Sequence, residues 1–210
     1  MASYKVKEIY YTLQGEGART GRPAVFLRFT GCNLWSGREE DRSTAVCQFC
    51  DTDFIGMDGV LGGKYDLKSL VTRISKLWPK GGEQKYVVCT GGEPLLQMDD
   101  DLIDELHGEG FEIAIETNGT ITVPRGIDWI CVSPKANTDV VVRNGNELKL
   151  VVRQQGIDPK MFESWSFKNF YLQPMDGPYL KEFTAWATEY CLQHPLWRLS
   201  IQTHKLLGIK

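Results

Sequence analysis

Residues 86–117 read YVVCTGGEPLLQMDDDLIDELHGEGFEIAIET, and this stretch decides the fold. Tyr86 to Cys89 is a short apolar run that suits a buried strand. Thr90-Gly91-Gly92-Glu93-Pro94 then turns the chain, and Asp99 to His107 reads as a helix with Leu102, Ile103 and Leu106 facing inward. Phe111 to Glu116 is a second strand. The acidic run Asp99-Asp100-Asp101 is first-turn charge answering the helix dipole. Parallel neighbours need a crossover, so a strand, a helix and a strand in succession imply a parallel pair.

The same rhythm extends in both directions. Ala24 to Thr30, Trp129 to Ser133, Leu148 to Arg153, Asn169 to Gln173 and Trp197 to Ile201 are further short β-like runs. Asp66 to Trp78 is helical, with Leu67, Leu70, Val71, Ile74, Leu77 and Trp78 at three- and four-residue steps, and Leu180 to Gln193 is a second such helix. A β ribbon around Val6 to Leu13 precedes them. Six or seven strands are too few for a closed eight-stranded barrel. The expectation is an α/β fold: an open partial (β/α) barrel of about six parallel strands with an N-terminal β extension, in one domain over residues 1–210.

Composition narrows the function classes. The 210 residues carry 24 Lys and Arg against 27 Asp and Glu, a net charge of −3, which argues against a broad nucleic-acid footprint. No apolar run approaches the roughly 20 residues of a membrane span. Met1 to Tyr10 is polar and alternating, unlike a signal peptide, so a cytoplasmic location is expected. Six cysteines are the unusual feature. Cys89, Cys131 and Cys191 sit singly in apolar elements, where a thiol acts as a small hydrophobe. Cys32, Cys47 and Cys50 form C-x14-C-x2-C around a polar, aperiodic excursion from Asn33 to Val46. Zinc would want a fourth ligand, and the nearest histidine beyond Cys50 is His107. A redox C-x2-C leaves Cys32 idle. A [4Fe–4S] cluster on three thiolates leaves one iron open to another molecule. The trio follows the Ala24 to Thr30 strand, at the end where α/β proteins bind ligands.

With Gly91-Gly92-Glu93-Pro94 at the next strand end, the chain resembles the radical S-adenosylmethionine enzymes. The fourteen-residue spacing departs from that family's usual C-x3-C-x2-C and narrows the resemblance to the 7-carboxy-7-deazaguanine synthase subgroup, whose members can carry an enlarged cluster loop, here residues 33–46. Leu13-Gln14-Gly15-Glu16-Gly17, Phe26-Leu27-Arg28-Phe29, Cys50-Asp51-Thr52, Glu116-Thr117-Asn118-Gly119, Ser133-Pro134-Lys135, Leu172-Gln173-Pro174-Met175-Asp176-Gly177 and Gln202-Thr203-His204-Lys205 fit the same subgroup.

The resemblance implies ring contraction of 6-carboxy-5,6,7,8-tetrahydropterin to 7-carboxy-7-deazaguanine with loss of ammonia, on the route to queuosine. It implies Cys32, Cys47 and Cys50 as cluster ligands, S-adenosylmethionine on the open iron, and Mg²⁺ on Thr52, with Asp51 as the chemical rival. Phe49 contacts the adenine or simply packs. Gly92 and Glu93 meet the methionine amino group, Glu116 and Asn118 the ribose or methionine, and Ser133, Pro134 and Lys135 the methionine carboxylate. Gln173 serves the cofactor, the substrate or both. Leu13, Gln14, Gly15 and Glu16 form a pterin loop, joined by Thr90, Pro174, Met175 and Asp176, with His204 as a closing residue.

Arg28 stands mid-strand, where an unpaired charge would be costly. It bonds the substrate carboxylate bidentately or is buried against Glu16 or Glu93. A flavodoxin-like electron donor and a homodimer are also implied. The rival readings are an activase that makes a glycyl radical on a partner protein, and a zinc-stabilised binding module.

Overall fold

The computed structural model describes residues 3–210; Met1 and Ala2, the start of the Met1 to Tyr10 stretch read above, lie outside the described residues. The chain runs β1 (Tyr4–Leu13), β2 (Pro23–Phe29), β3 (Gly63–Tyr65), α1 (Leu67–Leu77), β4 (Tyr86–Gly91), α2 (Asp100–Gly108) and β5 (Glu112–Thr117). It continues through β6 (Trp129–Val132), β7 (Asn144–Val152), β8 (Ser166–Pro174), α3 (Leu180–Gln193), β9 (Trp197–Leu199) and α4 (Thr203–Leu207). Among the described residues these strands form one sheet in the order β3-β1-β2-β4-β5-β6-β7-β8-β9. β1 pairs antiparallel with β2 and β3, and every other neighbour pair is parallel. The sheet is therefore an unclosed, mostly parallel α/β array with an N-terminal antiparallel extension, as expected. Among the described residues no helix is long and apolar enough to cross a membrane.

Side chains along a strand alternate between faces, and here the two faces do different jobs. The outer face of β2, β4 and β5 packs Leu27, Phe29, Cys89, Ile113 and Ile115 against Leu70 and Ile74 of α1 and Leu102 and Leu106 of α2. Leu148, Leu150, Phe170 and Leu172 of β7 and β8 form a second cluster with Ala187 of α3 and Trp197. The inner face carries Phe26, Val88 and Ala114 in one apolar cluster. Two residues further along the same strands the inner face becomes polar, with Arg28, Thr90 and Glu116. Arg28 is paired directly with Thr90, and Glu116 with Cys131. An apolar base thus lies beneath a polar mouth at the strands' carboxyl ends.

Four elements differ most from the sequence reading, among them β8, which begins at Ser166 rather than Asn169. β7 begins at Asn144 rather than Leu148. Its first residues are polar, and their strand character comes from pairing Asn144 with Ser166 and Glu147 with Asn169. β3 is a three-residue edge strand on Tyr4 to Val6, too short to show a period. α4 covers five residues of the tail. The Asn33 to Val46 excursion is irregular apart from a 3-10 turn over Glu39–Thr44.

α2 shows how local chemistry sets an element's start. Asp99 Oδ1 accepts the Leu102 amide at 3.0 Å and the Tyr4 hydroxyl at 2.7 Å, joining the helix cap to β1. Asp99→Ala is expected to cost about 2 kcal/mol in urea denaturation, from the lost cap and an unpaired buried hydroxyl. A loss no greater than that of the exposed neighbour change Asp100→Ala would contradict this account.

Candidate functional site

A cavity of about 520 Å³ opens at the polar mouth. Its wall includes Cys32 beyond β2, Gly91 and Gly92 at the end of β4, Asn118 beyond β5, Ser133 and Lys135 beyond β6, and Met175 and Asp176 beyond β8. The loop Leu13 to Glu16 and the tail residues Gln202, His204 and Lys205 close other sides.

The three motif cysteines line this one cavity and are free thiols. Cys47 is buried, while Cys32 and Cys50 are partly exposed. Burial raises the Cys32 and Cys47 thiols, and Lys135 pulls Cys47 partly back. Thiolates here therefore need a strong local cation. Among the described residues, no group of three His, Cys, Asp or Glu side chains is arranged to hold a metal ion. The fit to an iron–sulfur cluster rests on the donor set, three thiols around a shared space, and on the backbone beside it. A Cβ on Gly92 would lie 2.1 Å from the Gly31 carbonyl oxygen and 2.8 Å from Cys32 Cβ. Only glycine lets β4's exit lie against the first cysteine.

Lys135 Nζ donates to the Ser133 carbonyl at 2.6 Å and its hydroxyl at 2.7 Å. Burial lowers its pKa, while Cys47, Cys50 and Glu93 favour its charge. Asn118 Nδ2 donates to Asn33 Oδ1 at 2.9 Å, fastening β5's exit to the residue after Cys32. Phe49 and Thr52 also face the cavity. The Asp51 carboxylate accepts Lys205 Nζ at 2.7 Å, which in turn reaches Asp176 at 2.6 Å.

Two of the named residues stand outside the cavity wall. Glu93, which the resemblance sets on the methionine amino group, has a fully buried side chain that does not line the cavity. One of its oxygens accepts the Leu95 amide and Thr117 Oγ1, and the other the Asn118 amide. Pro134 is also outside the wall, and its carbonyl accepts Gln154 Nε2 at 3.2 Å. The peptide turns there, so Ser133 and Lys135 face inward and Pro134 does not.

The remaining candidates, Leu13, Gln14, Gly15, Glu16, Arg28, Thr90, Glu116, Gln173 and Pro174, share the wall with the thiols. Arg28 Nε pairs with Glu8 at 3.0 Å and a terminal nitrogen donates to the Tyr10 hydroxyl at 2.9 Å. Where the alternative reading buried Arg28 against Glu16 or Glu93, its ion partner is Glu8. Gln14 Nε2 donates to Glu116 Oε1 at 2.9 Å. Gly15 lies against the His204 ring, where a Cβ would come within 2.2 Å of Nδ1.

Lys149 is the main residue that sequence reading missed. It is paired with Glu16 at 2.5 Å and lies 3.7 Å from Glu116, with side chains 6%, 15% and 23% exposed. It stands in an apolar strand as Arg28 does, so the argument used for Arg28 could have found it. Burial would raise the Glu16 carboxyl, but Lys149 and hydrogen bonds from Lys149, Gln202 and Gln173 hold it at about 2, against an ordinary 4.5.

Comparison with known proteins places these features in context. The chain is 61% identical over 209 residues to the 7-carboxy-7-deazaguanine synthase of Bradyrhizobium diazoefficiens, covering 99% of this chain and 100% of that one. It is 58% identical to the same enzyme of Caulobacter vibrioides, covering 99% of each. The crystal structure of QueE from Escherichia coli superposes with a TM-score of 0.69 at 27% identity, covering 95% of this chain and 94% of that one. No family model matches the chain.

The folded Glu16 pKa lies below the unfolded one. The pair's stabilisation is therefore full above the ordinary carboxylate value and is lost as pH falls through that value toward 2. Lys149→Met, which strands Glu16, is expected to cost about 3–5 kcal/mol at neutral pH. Denaturation series at decreasing pH should show that difference shrinking below about 4.5; a pH-independent difference would contradict the pairing.

Proposed function

We propose, because the chain belongs to the 7-carboxy-7-deazaguanine synthase family, that this cavity contracts 6-carboxy-5,6,7,8-tetrahydropterin to 7-carboxy-7-deazaguanine with release of ammonia. The observation that carries the reading is that three free thiols, a glycine-lined strand exit and a buried polar network share one cavity. Its volume suits two small molecules side by side.

Cys32, Cys47 and Cys50 would hold a [4Fe–4S] cluster, with S-adenosylmethionine on the open iron and Mg²⁺ on the Thr52 hydroxyl. When bound, the reduced cluster and S-adenosylmethionine would supply the one-electron chemistry that the ring contraction needs. The chain's own residues bind and orient. Gly91 and Gly92 offer backbone oxygens at close approach, Asn118 and Glu116 face the ribose or methionine, Ser133 and Lys135 face the methionine carboxylate, and Phe49 faces the adenine. Lys135 feels the charge of Cys47 and Cys50, so it answers carboxylate and thiolate charge together.

At the substrate, Gln14 and Glu16 meet the pterin's amino and ring nitrogens, with Thr90, Gln173 and the Pro174 to Asp176 turn completing the pocket. Lys149 keeps Glu16 ionised, and an ionised carboxylate accepts hydrogen bonds from an amino-substituted ring. Arg28, oriented by Glu8 and Tyr10, directs its guanidinium to the substrate carboxylate. A homodimer, a flavodoxin-like electron donor and a cytoplasmic location complete the proposal and rest on the family resemblance.

The deciding experiment is anaerobic incubation of the reconstituted protein with S-adenosylmethionine, reductant, Mg²⁺ and the carboxytetrahydropterin. The expected products are 7-carboxy-7-deazaguanine and ammonia in equal amounts, with no stoichiometric consumption of S-adenosylmethionine. Deoxyadenosine release without a deazaguanine would refute the substrate while keeping the radical chemistry, and zinc without sulfide would refute both. Arg28→Ala is expected to weaken pterin binding about 10- to 100-fold while cofactor cleavage without substrate is kept. Equal loss of both would remove Arg28 from the carboxylate.

A further inference from the structure

The excursion between Cys32 and Cys47 folds back on the turn that carries Cys47 and Cys50, and one side chain makes the connection. Arg42, in the 3-10 turn Glu39–Thr44, donates from a single terminal nitrogen to the Gln48 carbonyl at 2.9 Å and the Cys50 carbonyl at 3.1 Å. Its guanidinium lies 4.1 Å from the centre of the Trp35 ring. Trp35 is buried at 7% exposure, meets Phe54 edge-on at 5.6 Å, and donates its indole N–H to the Arg38 carbonyl. Leu34 accepts the Val46 and Cys47 amides, which closes the loop at its base. Arg42 also pairs with Glu39, but that carboxylate is 77% exposed and contributes little. The guanidinium thus joins a buried aromatic pair to the two carbonyls that bracket Phe49.

We propose that Arg42 is a positioning residue for the cluster turn. It fixes the arc Cys47 to Cys50 through the two carbonyls, and its fixed positive charge raises the reduction potential of a cluster on those thiolates. The inference rests on the cluster reading above. Its basis is physical: a loop of fourteen residues gains entropy by opening, and it needs a cross-connection to hold ligands within the tolerance a metal site requires. Groups next to metal ligands set both retention and potential.

The test compares wild type with Arg42→Ala and Arg42→Lys, each reconstituted anaerobically. Arg42→Ala should lose iron to a chelator about 10-fold faster than wild type and show a lower midpoint potential by redox titration. Arg42→Lys keeps the charge but not the stacked planar fork, so the potential should recover more than retention does. In the iron-free protein, chymotrypsin should cut at Phe49 faster in Arg42→Ala than in wild type. A wild type that takes up iron and sulfide beside an Arg42→Ala variant of unchanged potential and retention would overturn the inference and leave the function intact. A wild type that takes up no iron and sulfide would overturn the cluster reading, and unchanged chymotrypsin cleavage would then also remove the positioning role.

Discussion

Glu93 is the residue on which the architecture of the mouth depends. Its backbone N–H donates to the Gly31 carbonyl at 2.9 Å, at the exit of β2. Its carboxylate accepts from Thr117 and Asn118 at the exit of β5 and from Leu95 in its own turn. Three neighbouring strand exits are thereby joined through one residue, by its backbone on one side and its fully buried carboxylate on the other. Burial raises its pKa, and the three donors work against that shift. The close approach of Gly92 to Gly31 and Cys32 follows from the same geometry. A Gly-Gly-Glu turn is therefore a mechanical joint in which the glycines supply approach and the acid supplies fixation.

The inner face extends the same logic to charge. Period-two alternation delivers Glu116, Glu147, Lys149 and Arg28 to the inside of a sheet whose outer face is apolar. Each is matched: Lys149 by Glu16 and Glu116, Arg28 by Glu8, and Glu147 by the Ala18 amide at 2.9 Å. Such groups contribute little net stability and cost a great deal when a partner is removed, so they specify geometry more than they stabilise it. The apolar cluster of Phe26, Val88 and Ala114 beneath them supplies the stabilising burial.

The parallel sheet was legible because its strands are apolar on the packed face and its helices carry clear three- and four-residue steps. α3 matches its expected span of Leu180 to Gln193. β3 and α4 were illegible because three to five residues carry no period, and contact with Tyr4 to Val6 or with the loop at Gly15 forms them. At the site, most of the side chains named at the strand ends meet in one cavity. The motif could not say which way each side chain turns, so the burial of Glu93 and the outward turn at Pro134 were not legible. Partners distant in sequence were equally hidden: Glu8 for Arg28 and Lys149 for Glu16 are tertiary facts, although a charge inside an apolar strand was signal enough to seek one.

The contrast between base and mouth has a dynamic consequence. The base is held by continuous apolar packing of the sheet against α1, α2 and α3. The segments around the mouth are held by polar contacts with exposed partners. Lys205 bridges Asp51 and Asp176 with all three side chains at least 35% exposed, and Lys7 pairs with Asp53 and Asp58, which are 71% and 82% exposed. Pairs with solvent-exposed carboxylates are weak and screened by salt, so they release well below the free energy of unfolding. The tail and the post-cluster segment can therefore part and re-form while the strand exits stay joined through Glu93. The division sets weak charge contacts at the rim and a buried carboxylate at the root, so the rim can open while the thiols stay in place.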